Sequence, residues 1–187
     1  MEFHQQHIGR VSAMVSETFW QTFVLTFAAT TAYSDVRWRK IPRGITVLGV
    51  LAGLGFNSSH GMLLDALLAT TVAFSIGLGL FSMGAIGGGD VKLMTALAAM
   101  LRLQSWAAAM NVAILIAALM AVIQIIRFRA VRQTLMNMWQ LLKHFAKSGP
   151  RAHPTLNVKS ETALRSPFGV AVAAGTAFVV LHAVHLH

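Results

Sequence analysis

The stretch Met62–Gly84 reads MLLDALLATTVAFSIGLGLFSMG, and Asp65 is its only charged residue. A helix needs about 20 apolar residues to cross the roughly 30 Å hydrocarbon core of a bilayer, and this segment is long enough. Two others meet the same standard, Trp106 to Ile126 and Pro167 to Val184, while Thr18 to Ser34 is a little short but sufficient. Ile45 to Phe56 and Val91 to Leu101 are weaker candidates that extend into their flanks, run at a slant or enter the bilayer only in part. The expected fold is all-α: a polytopic membrane helical bundle of about six transmembrane helices, forming one domain over residues 1–187.

Composition points the same way. Hydrophobic residues make up 56% of the 187 positions and charged residues 11%, against about 25% charged in a soluble domain. With a mean hydropathy of +0.64, the chain has too little polar surface to wrap a water-facing globule. It has no cysteine, so disulfides, thiolate metal sites and cysteine nucleophiles are excluded. The net charge of +9 is concentrated in two segments, Arg37 to Arg43 and Arg127 to Arg165. Such clusters mark cytoplasmic loops of membrane proteins; a nucleic-acid surface would need a soluble domain with aromatic or motif support. No nucleic-acid partner is expected.

Orientation follows from these clusters. The link from Asp35 to Gly44 holds Arg37, Arg39, Lys40 and Arg43, whereas Asn57 to Gly61 holds no Lys or Arg. The segment 127–166 carries Arg127, Arg129, Arg132, Arg151 and Arg165 against one acid, Glu161, and reads as a cytoplasmic loop. Six alternating helices put both basic links in the cytoplasm and both termini outside. The first helix is read as retained rather than as a cleaved signal, because only Arg10 precedes it and the positive residues follow it.

Six acids exist in the whole chain. Glu2 and Glu161 fall in the tail and the loop, Glu17 is expected to open the first helix, and Asp65 lies in the first turn of its own. Asp35 and Asp90 stand apart, for topology places both at the same membrane depth and on the same side. Two carboxylates sharing a site do not both ionise easily, so one keeps a proton while the other stays charged. Such a pair can activate a water and polarise a peptide carbonyl without metal, cysteine or serine. Two bland readings stand beside this one: Asp35 pairing with Arg37 or Arg39, and Asp90 capping a helix that begins at Val91. Gly87-Gly88-Gly89 immediately before Asp90 tips the balance, because glycines let a backbone bend and a peptide approach closely.

Gly87-Gly88-Gly89-Asp90-Val91-Lys92-Leu93 resembles the GxGD signature of the prepilin (type IV leader) and preflagellin peptidases, a motif shared more loosely with presenilin. Ser34-Asp35 to Ile41-Pro42 is similar to the other half of that active site, and Pro167-Phe168-Gly169 to the opening of the family's last helix. The three matches occur in family order. Arg43 departs from the pattern, where the family often has Asn after the Pro. The amino-terminal domain with paired cysteines that long, N-methylating members carry is also missing from this sequence. The resemblance therefore points to short, peptidase-only enzymes of the CpaA/TadV type from tight-adherence (Flp) pilus systems. It implies Asp35 and Asp90 as catalytic acids, with Gly87, Gly88, Gly89 and Lys92 at the substrate. It further implies a type IV-like prepilin as substrate peptide, cleaved at the cytoplasmic face of the bacterial inner membrane, with pilus assembly machinery as a further partner. No cofactor and no metal are called for; the His182, His185 and His187 tail reads as solvated. The rivals are a non-enzymatic membrane scaffold of a pilus machine, and a small proton-coupled transporter using Asp65 and Asp90 as a relay.

Overall fold

The computed structural model describes residues 2–38, 41–127, 136, 139 and 168–185. Among them the chain forms five helices: α1 (Glu2–Trp38), α2 (Arg43–Ser59), α3 (Leu63–Ser82), α4 (Gly88–Arg127) and α5 (Phe168–His185). Among the described residues the fold is all-α, and α4 is two helical stretches joined at a kink at Arg102. Val91 to Leu101 and Trp106 to Ile126, read from sequence as separate segments, belong to one element interrupted at Arg102. The expected cytoplasmic loop 127–166 lies almost wholly outside the described residues.

Arg102 sits at φ 65° and ψ 174°, a conformation that costs a non-glycine residue about 1–3 kcal/mol. The contacts on either side show what this break does. Before it, Val91 lies beside Gly77 of α3 and Ala99 beside Gly53 of α2. After it, Ala109 and Ala113 lie against Gly175 of α5. Residues 88–101 therefore run away from Asp90, and residues 103–127 return, antiparallel to α5. The element doubles back on itself and provides the centre against which α2, α3 and α5 pack, while α1 leans mainly on α5.

The packing is that of a bundle in lipid. Ala66, Ala69, Ala73 and Gly77 form the buried face of α3, which packs on α4 with Gly77 beside Val91, and α4 itself buries Ala96, Ala98 and Ala99. Large side chains point outward instead: Leu64 is 78% exposed, Leu115 70% and Ile126 66%. A water-soluble bundle exposing so many large apolar groups would aggregate. In lipid there is no hydrophobic gain in burying them, and small residues that bring backbones together do the work of association. Gly53 shows how closely: a Cβ there would lie 2.6 Å from the backbone of Ala99. The same contact is locked by Asn57, buried, whose amide donates to the carbonyls of Gly53 at 2.9 Å and Ala99 at 3.0 Å. On the outer face of α1, Thr22, Thr26 and Thr30 each donate to the carbonyl one helical turn back, so these three hydroxyls are satisfied without water. By length and composition α3 and α4 are apolar enough to cross a membrane.

Several boundaries differ from the sequence reading. The first helix starts at Glu2, not near Thr18, so Glu17 lies inside it rather than opening it. Apolar content marks where lipid begins, but the helical backbone continues past that point as long as no residue stops it. At the other end the helix runs to Trp38, which puts Asp35 within its last turn. Similarly, α4 starts at Gly88, three residues before the apolar run that announced it.

Candidate active site

The site lies where four elements end together. α3 stops through a glycine in the left-handed region, Gly84 at φ 73°. The Gly84 N–H donates to Phe81 O at 3.0 Å and the Ala85 N–H to Leu80 O at 2.9 Å, the paired bonds of a Schellman stop. The chain then reaches Gly87 and turns immediately into α4. Asp90 is the third residue of that helix, and its Oδ2 accepts the Gly87 N–H at 3.0 Å. This is the return half of a capping box. Asp90 thus caps backward from inside the helix, not ahead of a helix starting at Val91.

Asp35 is held from elsewhere. Its Oδ2 accepts the N–H of Gly169 at 2.9 Å, across the 134 positions that separate α1 from the first turn of α5. That amide is one of the donors a helix start leaves unused, and the positive end of the helix dipole favours a carboxylate there. A side chain at 169 would not fit, since a Cβ would stand 2.8 Å from Asp35 Oδ2 and 3.0 Å from Asp35 Cβ. Ile41, buried at the link between α1 and α2, rests against Gly89 and draws the Asp35 end of α1 onto the glycine turn.

The two acids stand at the same end of the bundle, since Ile41, a few residues after Asp35, rests against Gly89 next to Asp90. Both are half-buried, each tied through one oxygen to a glycine amide, and among the described residues neither Oδ1 has a hydrogen bond. Asp35 forms no ion pair with Arg37; Arg39 is outside the described residues. Gly87, Gly88 and Gly89 line the turn beside Asp90 and are half-buried. Lys92 is exposed between buried Val91 and Leu93 and makes no ion pair with either acid. Asp65 is placed at the other end of α3, and the buried face between it and Asp90 is Ala66, Ala69, Ala73 and Gly77, which offers no polar path for a proton relay. Among the described residues no cluster of three or more His, Cys, Asp or Glu could hold a metal.

Gly169 is the residue the sequence reading left unassigned. Its signal was present in Pro167-Phe168-Gly169, but nothing local says that this amide meets an acid near the start of the chain.

The described residues thus form a helical, membrane-compatible bundle with Asp35 and Asp90 at one end, beside a glycine-rich turn. The type IV leader peptidase family model matches residues 22–122, more than half of the chain and a stretch containing both Asp35 and Asp90. The chain belongs to the type IV leader peptidase family. No curated protein and no solved structure gives a match. The family is membrane-associated, and leader-peptidase activity on a prepilin is the kind of function that membership carries.

Proposed function

We propose that this protein is an intramembrane aspartyl endopeptidase in which Asp35 and Asp90 are the catalytic pair. The observation that carries the reading is their placement at one end of the bundle, each anchored through Oδ2 to a glycine amide, with no hydrogen bond to either Oδ1 among the described residues. A scaffold imposes no such placement, and a relay through Asp65 would need the polar path that α3 does not provide. In the reaction, a water held between the carboxylates gives its proton to the ionised acid as its oxygen attacks the scissile carbonyl. The protonated acid donates to the carbonyl oxygen. The tetrahedral intermediate then collapses: the hydroxyl proton returns to one carboxylate, the C–N bond breaks, and the other acid protonates the departing amine. The glycine turn leaves backbone open on which an extended peptide can lie.

The substrate in this reading is the leader of a type IV-like prepilin of the Flp/Tad kind, cut between its basic leader and its hydrophobic helix. The chain acts as one integral-membrane domain in the bacterial inner membrane, with 127–166 as a cytoplasmic loop. Arg37, Arg43, Lys92 and Arg127 lie toward the Asp35 end and Arg102 toward the other, an asymmetry that supports an active site on the cytoplasmic side. Co-expression with a candidate prepilin tests this: wild type removes the leader, while Asp35→Asn and Asp90→Asn insert into the membrane and leave it attached. Full processing by either variant overturns the assignment.

A further inference from the structure

At the far end of the bundle from Asp35 lies a pocket of about 250 Å³ that the peptidase chemistry does not use. Its polar lining comes from Glu17, Gln21, Asn57, His60, Arg102 and Ser105, with the Asn57 amide already committed to the Gly53 and Ala99 carbonyls. Glu17 precedes Asp35 by 18 positions on an unbroken helix, and at 1.5 Å per residue that is about 27 Å. A hydrocarbon core is roughly 30 Å thick. With Asp35 at one rim, the pocket opens at the opposite rim, among lipid headgroups.

The pocket holds two opposite charges that do not satisfy each other. Glu17 is exposed at its edge and Arg102 half-buried, and among the described residues neither forms an ion pair. Among the described residues the Arg102 guanidinium meets only the thioether of Met62, a weak acceptor. The backbone conformation of Arg102, at φ 65°, is one glycine would adopt without strain, yet the residue is an arginine that lines the pocket. Beneath the charged mouth the wall is apolar, formed by Val24, Met100, Val179 and Val180. Trp20 and Phe56, stacked with ring centroids 4.0 Å apart, close one side, their faces turned to each other rather than to a ligand.

We propose that this pocket binds the headgroup of a zwitterionic phospholipid carrying a primary ammonium, of the ethanolamine type. The phosphate meets the Arg102 guanidinium and the Ser105 hydroxyl, the ammonium donates to the Glu17 carboxylate, and the acyl chains leave along the apolar wall. Glu17 sets the selectivity. It repels a purely anionic headgroup and can accept hydrogen bonds from a primary ammonium, which a quaternary one cannot give. The site is independent of the peptidase assignment and rests only on the membrane setting of the bundle.

Native mass spectrometry of the purified full-length protein in detergent, titrated with lipids of matched acyl chains, reads this directly. The ethanolamine lipid should bind more tightly than the choline or glycerol lipid. Arg102→Gly, which keeps the backbone conformation unstrained, should lower that affinity by about tenfold or more. Glu17→Gln should abolish the preference for ethanolamine over glycerol headgroups. Equal binding of the three lipids, or unchanged binding by Arg102→Gly, overturns the proposal. Displacement of the lipid by equimolar soluble glycerophosphoethanolamine overturns its lipid part, showing that a free zwitterion suffices.

Discussion

Replacing Gly169 by alanine should damage the candidate site far more than the fold. A Cβ at 169 would stand 2.8 Å from Asp35 Oδ2 and 3.0 Å from Asp35 Cβ, so roughly 0.5–1 Å must be found to reach ordinary contact. Either the start of α5 moves off α1 or the carboxylate rotates away, and both lengthen the 2.9 Å bond from the Gly169 amide. A hydrogen bond to a charged group contributes about 1.5–3 kcal/mol, and a misplacement of about 1 Å at a reacting group can cost about 10²-fold in rate. Alanine itself favours a helix over glycine by about 1 kcal/mol, so global stability should barely move. The assay is the initial rate of leader removal from a prepilin substrate in proteoliposomes, with melting in detergent recorded in parallel. Gly55→Ala is the control, since nothing lies within 4 Å of a Cβ there. A loss of about a hundredfold in kcat with little change in KM or melting is expected. If Gly169→Ala cleaves at the rate of Gly55→Ala, Asp35 is not positioned by α5 and the reasoning fails.

Other outcomes follow from the packing. Gly53→Val should separate α2 from α4, because even a Cβ meets the Ala99 backbone at 2.6 Å; unfolding in detergent at a markedly lower temperature would show it. Asn57→Leu removes the amide that ties α2 to the Ala99 carbonyl and should cost about 0.6–1.7 kcal/mol, the range for such bonds between membrane helices, measured by reversible unfolding in mixed micelles. Asp65→Asn should process a prepilin at the wild-type rate, since Asp65 lies at the far end of α3 from Asp90; loss of processing would revive a role for it.

The class of fold was readable because lipid imposes long apolar runs that soluble proteins seldom carry, as Met62–Gly84 does. Helix ends were less readable. Hydropathy reports where lipid begins, whereas α1 runs on through the polar residues from Glu2, and α4 starts on glycines that no apolar count includes. The turn at Arg102 was invisible as a turn, for nothing about an arginine announces a left-handed backbone; only the dip in hydropathy between Leu101 and Trp106 marked the place. At the site, Asp35 and Asp90 stood out because a chain with six acids leaves few to consider. The anchors were harder to see. Gly87 is a neighbour of Asp90 in sequence, but Gly169 and Ile41 act on positions across the bundle, and such contacts depend on tertiary packing that no local pattern records.

The most direct test of the pair acting as one unit is a single-turnover comparison of Asp35→Asn, Asp90→Asn and the double variant on one reconstituted prepilin. Acids that share a water fail together, so the double variant should be no slower than the slower single one. Losses that multiply in the double variant, or full cleavage by either single one, would contradict the account.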